Sequence, residues 1–227
     1  MIVSKTFFKY AFFAASAFVT LGTATSANAG LINPGFEYGQ PTGSYAFYND
    51  ASIAPSGGWY TTETDHQIEV WGSGFSGVKA YQGSNFVELN ANAVGTLYQT
   101  VKGIQTGNVV DYHFAHRGRQ GDDTMRLDIT DLTTGTSLFS QQYTDGLYAW
   151  GFYSGNLTVG AGIAATDTIK FAYTSVSSAG GNPTIGNFLD SADFGVGVNN
   201  VPEPTSLAIF GVGLTGLIVA RRRRQAI

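Results

Sequence analysis

Between Thr124 and Thr130 the apolar residues Met125, Leu127 and Ile129 alternate with Arg126, Asp128 and Thr130. A two-residue period belongs to a strand with one buried face, because successive side chains point to opposite sides. Ile169, Phe171 and Tyr173 alternate with Lys170, Ala172 and Thr174 in the same way, and Val87 and Leu89 with Phe86, Glu88 and Asn90. No 3.6-residue apolar period persists in the middle of the chain, so a long amphipathic helix has no place there. Ten strands are expected, near residues 31–33, 67–71, 85–90, 96–102, 108–116, 124–130, 137–143, 150–159, 168–174 and 187–198. Gly83-Ser84, Gly107-Asn108, Asp145-Gly146 and Gly180-Gly181 stand between them as turn residues. The pattern predicts an all-β domain over residues 30–200: a two-sheet antiparallel jelly-roll sandwich. Gln40 to Gly58 lacks the period and reads as a long loop over one end.

The two ends read as addresses. Lys5 and Lys9 precede an apolar stretch from Tyr10 to Leu21, and Ala27-Asn28-Ala29 follows. A basic start, a short apolar middle and an A-x-A end make residues 1–29 a secretory signal peptide, helical in its apolar part. A buried N-terminal helix or an uncleaved anchor is the alternative for the same residues. At the other end, Pro202-Glu203-Pro204 introduces sixteen uncharged residues, Thr205 to Ala220, and then Arg221-Arg222-Arg223-Arg224. As a helix those sixteen would span about 24 Å at about 1.5 Å each. Arginine stems can snorkel across part of the remaining distance to the far interface. The prolines fix the helix start. The arginines mark the cytoplasmic side, so the bulk of the chain lies outside.

Charge narrows the partners. Between leader and arginine cluster the chain carries 6 basic and 16 acidic groups, a net of −10. Nucleic-acid phosphates need clustered Lys and Arg, so nucleic acid is excluded as a partner. No cysteine is present, which removes thiolate catalysis and thiolate metal sites.

The C-terminal order of Pro202-Glu203-Pro204, an apolar helix with Gly211 and Gly213, and a terminal arginine cluster resembles the PEP-CTERM sorting signal. The resemblance covers residues 201–227. It implies recognition by an exosortase-type transpeptidase in the inner membrane of a Gram-negative host that makes exopolysaccharide or biofilm. It further implies anchoring with the domain outside, and possible release to the outer surface or matrix after processing.

Leu31-Ile32-Asn33-Pro34-Gly35-Phe36-Glu37 and Phe188-Leu189-Asp190-Ser191-Ala192-Asp193 resemble the opening and closing segments of galactose-binding-like jelly rolls, among them carbohydrate-binding modules. In that group the glutamate and an aspartate share a structural calcium ion with backbone carbonyls. Carried over, this implies Glu37 and Asp190, with Asp193 third. Calcium takes six to eight hard oxygens, which suits carboxylates and loop carbonyls. Ser191-Ala192 replaces an acidic pair common in the group, and solvated edge carboxylates with no metal remain the alternative.

Glycan contacts are expected from Trp59, Trp71 and Trp150, whose flat faces could stack on a sugar, and from Glu69, Glu88, Asn90 and Asn92, which could bond hydroxyls. A tryptophan in such a sandwich is more often core than platform. Arg117 and Arg119 fall in the turn from His116 to Thr124. They form either a polar binding rim or a hairpin lock, with Arg119 and Asp123 as the leading pair.

Enzyme signatures are missing: there is no Gly-x-Ser-x-Gly, no His-Glu-x-x-His and no phosphate loop. On strand alternation His113 and His116 face opposite ways and cannot chelate one metal together. The sequence therefore reads as a non-enzymatic, envelope-anchored surface protein that binds glycan or exopolysaccharide in a biofilm matrix. A structural or adhesion protein acting through protein contacts is the alternative. A hydrolase or lyase using Glu69 and Glu88 comes third.

Overall fold

A computed structural model of the protein describes residues 30–38, 43–50, 52 and 58–198. The leader (1–29) and the sorting tail with its apolar span (201–227) lie outside the described residues. The strands are β1 (Tyr45–Asn49), β2 (Tyr60–Thr61), β3 (Gln67–Gly72), β4 (Asn85–Glu88), β5 (Thr96–Val101) and β6 (Asn108–Arg117). Then come β7 (Asp123–Asp131), β8 (Thr136–Asp145), β9 (Gly151–Thr158), β10 (Ile169–Ser177) and β11 (Phe188–Val198). They form a six-stranded sheet, β1-β3-β4-β11-β6-β9, and a five-stranded sheet, β2-β5-β10-β7-β8. Every pairing is antiparallel. This is the two-sheet jelly roll that the alternation predicted.

The inner faces meet in one core. Met125, Leu127 and Ile129 of β7 and Ile169, Phe171 and Tyr173 of β10 are fully buried. They pack against Val70, Val87, Phe114 and Leu189 from the six-stranded sheet. Phe171 stacks on Phe194 across the two sheets at 4.2 Å. Burying each such side chain contributes about 1.5–3 kcal/mol.

Three expectations differ. Residues 31–33 form no strand, because Asn33 adopts a left-handed φ of 53° and its carbonyl accepts from Phe36 N–H. A side chain replaces the ladder there: Gln99 accepts from Ile32 N–H and donates to Ile32 C=O. The segment nevertheless runs beside β11, with Leu31 N–H on Asp193 and Ala192 N–H on the Pro34 carbonyl. Second, the stretch read as loop holds β1, paired along β3 with Tyr45 opposite Trp71 and Phe47 opposite Glu69. Its aromatic side chains suit a pleated edge. Third, β4 is buried on both faces. Val87 belongs to the inner core, while Phe86 joins Trp71, Val78 and Phe188 in a second cluster on the outer face of the sheet. The β3–β4 loop roofs that cluster. Trp150 donates its indole N–H to Lys79 C=O, and Gln82 N–H donates to Asp190.

A bulge in β11 completes the frame. Asp190 faces Ala115 and Asp193 faces His113, with two residues inserted against one, and Ser191 at φ 50° takes the kink. Asp190 and Asp193, three apart, therefore face the same side.

Candidate functional site

The outer face of the six-stranded sheet carries a groove of about 390 Å³ at its β1 edge, lined by Tyr45, Phe47, Glu69, Trp71, Asn92 and Arg119 with loop residues around them. Tyr45 and Phe47 stand 46% and 41% exposed, edge to face at 5.7 Å. Trp71 lies beneath, 2% exposed, packed by Phe75 and Tyr45 and covered by the Arg119 guanidinium 4.7 Å from its ring centroid.

Two carboxyl groups form the floor. Register sets Glu69 directly opposite Glu88, so two carboxyl groups stand side by side. Glu69 accepts the Trp71 indole N–H at 3.0 Å. Glu88, with no exposed side-chain surface, accepts Arg119 Nη1 on both oxygens and Gly186 N–H. Burial pushes the Glu88 carboxyl up to about 8, with Glu69 adding to the rise, and outweighs the lowering effect of Gly186 N–H and Arg119. Burial also raises Glu69.

Asn92 is brought to the groove by residues that sequence reasoning missed. Glu63 accepts the backbone N–H groups of Ala91, Asn92 and Ala93, and Asp65 accepts from the Asn92 amide at 2.7 Å. Tyr45 and Phe47 were also missed. Their signal, aromatics two apart in an otherwise polar stretch, was present but lay in a segment read as loop.

Other expected contacts are enclosed. Trp59 is fully buried between Phe36 and Tyr173 and donates to the Asn33 carbonyl, so it offers no face to a ligand. Asn90 is fully buried and donates to Pro183 C=O. Glu88 supports Arg119 from below. Arg117 donates to Leu147 C=O, away from the groove. The Arg119 guanidinium pairs with Glu88 rather than Asp123, which instead accepts the backbone N–H groups of Arg119, Asn187 and Ala179. His116 is buried between Asp145 and Asn187, while His113 faces outward.

Glu37, Gln82, His113, Ser191 and Asp193 line a second recess of about 330 Å³. Glu37 Oε1 accepts Ser84 and Asn85 N–H, and Asp190 accepts Gln82 and Ser191 N–H. Burial pushes Asp190 up to about 7, and the charge of Glu37 adds to that. Asp193 Oδ1 is engaged by Leu31 and Phe194 N–H. Among the described residues no three His, Cys, Asp or Glu side chains converge on one ion position. The donor type, two hard-oxygen carboxylates amid loop backbone, fits calcium only with carbonyls completing the shell.

A family model of the PEP-CTERM protein-sorting motif matches residues 200–224. This marks an exported chain, sorted and anchored through its C-terminus. Comparison with curated proteins finds no match. Among solved structures the chain is similar to a cyclase from Fischerella sp. TAU in complex with 4-(1H-indol-3-yl)butan-2-one, at 14% identity and a TM-score of 0.54, covering 74% of this chain and 96% of that one. A Stig cyclase, Fisc, from the same organism gives 13% identity and 0.53, over 75% and 99%. A family 22 carbohydrate-binding module from Clostridium thermocellum gives 17% and 0.44, over 72% and 99%. The cyclase likeness shows the fold alone.

Proposed function

We propose that the exported domain binds a neutral glycan in the β1-edge groove, and that its partner in the cell is an exopolysaccharide of the surrounding matrix. The observation that carries this reading is the exposed Tyr45–Phe47 pair beside the hydrogen-bonding groups of Glu69, Asn92 and Arg119. A sugar ring offers an apolar C–H face and a rim of hydroxyls, and the groove presents the complement of both. The net charge of −10 between leader and arginine cluster disfavours an anionic polymer. Hydrolysis through Glu69 and Glu88 fits poorly. A glycosidase needs both carboxyl groups open to the scissile bond, whereas Glu88 has no exposed side-chain surface and is engaged by Arg119 and Gly186 N–H.

The leader carries the chain across the inner membrane, and an exosortase-type transpeptidase acts on residues 201–227. Calcium at Glu37 and Asp190, with loop carbonyls, fastens the opening segment to β11 and the β3–β4 loop. Glycan-array screening of the full-length protein, followed by titration of the best ligand against Tyr45→Ala and Asn92→Ala, tests the groove. Absence of any glycan binding, with and without calcium, removes the reading.

A further inference from the structure

The outer face of the six-stranded sheet has another aromatic surface at its opposite edge. Phe152 of β9 is 49% exposed and Tyr81 of the β3–β4 loop is 42% exposed. Their rings lie parallel within 7°, centroids 5.5 Å apart. The loop behind Tyr81 is tied down by Trp150 on Lys79 C=O and by Gln82 N–H on Asp190. The pair is therefore already ordered, which lowers the entropy lost on binding. Beside Phe152 the surface turns polar. Register sets His113 opposite Ser154 and Asp111 opposite Asn156, and these residues border a depression of about 390 Å³.

The chemistry of the lining selects a ligand. Carboxylate, amide, hydroxyl and imidazole each exchange hydrogen bonds with hydroxyl groups. No lysine or arginine lines the depression to hold an anion. An apolar ligand would cover Asp111 and Asn156 without satisfying them. A neutral pyranose supplies both an apolar face for Phe152 and hydroxyls for the polar fence.

We infer that the β6–β9 depression, with Tyr81 and Phe152 at its edge, is a second binding site for a neutral sugar. It rests on the glycan reading of the groove and extends it. The two sites stand at opposite edges of one sheet, about 24 Å apart at about 4.8 Å per strand spacing, with the roofed cluster between them. Two modest sites on one rigid face hold a polymer through avidity.

Isothermal titration of the full-length protein with short neutral oligosaccharides of the cello, xylo and galacto series tests this. The wild type takes two oligosaccharides per chain. Tyr81→Leu with Phe152→Leu takes one, and so does Tyr45→Leu with Phe47→Leu, since leucine retains apolar contact but not the ring face. Either pair weakens binding of the matching polysaccharide by about tenfold or more. Asn156→Ala, which leaves the aromatic packing in place, weakens the second site only, and thermal melts verify that each variant is folded. One oligosaccharide per wild-type chain, lost with Tyr45 and Phe47 but indifferent to Tyr81, Phe152 and Asn156, overturns the second site and leaves the groove standing. No saturable binding in any series overturns both.

Discussion

Glu69 and Glu88 lie under an arginine and an indole, whereas Glu37 and Asp190 each accept backbone amides. Both pairs hold a carboxyl pushed far above its usual range, Glu88 to about 8 and Asp190 to about 7. The first pair carries its compensation within the chain, in the Arg119 charge. The second accepts backbone dipoles, and the calcium proposed there would add a positive charge from outside. Closure from within suits a floor that positions Arg119 at the groove. The proposed calcium would make the second pair a fastening that sets in calcium-bearing surroundings.

The largest break in that contrast is Glu88→Ala. It leaves Arg119 and Gly186 N–H without their acceptor and costs about 3–5 kcal/mol, read by urea unfolding. Glu88→Gln retains the shape and most of the hydrogen bonds, and costs far less. Calcium sharpens the other side. At a hundredfold excess over its dissociation constant it raises wild-type stability by about 2.7 kcal/mol, a chelator reverses this, and Asp190→Asn abolishes the response while Glu88→Gln preserves it.

The pH dependence comes next. A carboxyl raised in the fold stabilises fully below its unfolded value of 4.5, and that contribution is lost as pH rises toward about 8. Wild type therefore loses stability over that window relative to Glu88→Gln, checked by paired denaturation curves at several pH values. A flat difference between the two would show that burial does not raise the Glu88 carboxyl. The smallest effect on the fold comes from Tyr45→Ala. On this exposed edge it changes stability by no more than about 0.5 kcal/mol yet weakens glycan binding by at least about 1 kcal/mol, as titration would show.

The strands with alternating residues were legible because a two-residue period is local: Met125, Leu127 and Ile129 declare an inward face wherever β7 is placed. Opposite faces for His113 and His116 followed from the same parity. β1 was not legible, since its partner β3 lies beyond a turn and its aromatic residues stand among glycine, proline and asparagine. Nor was the double burial of β4, which depends on a loop crossing the sheet from outside.

The candidate site divides the same way. Glu69, Trp71, Asn92 and Arg119 were named from residue type and do line one groove. Trp59 and Asn90 were named on the same grounds and are enclosed, because exposure depends on what packs above a residue. Asp190 and Asp193 share a side only through the β11 bulge at Ser191.

By itself the sequence determined the all-β class, the inward faces and the sorting motif, all of them patterns between near neighbours. The tertiary structure alone decided which outer-face residues stay open, that Arg119 reaches Glu88 rather than Asp123, and that Glu69 and Glu88 stand opposite each other. Those outcomes follow from contacts between segments distant in the chain. Their energies depend on burial and distance, quantities that only the packed sheets define.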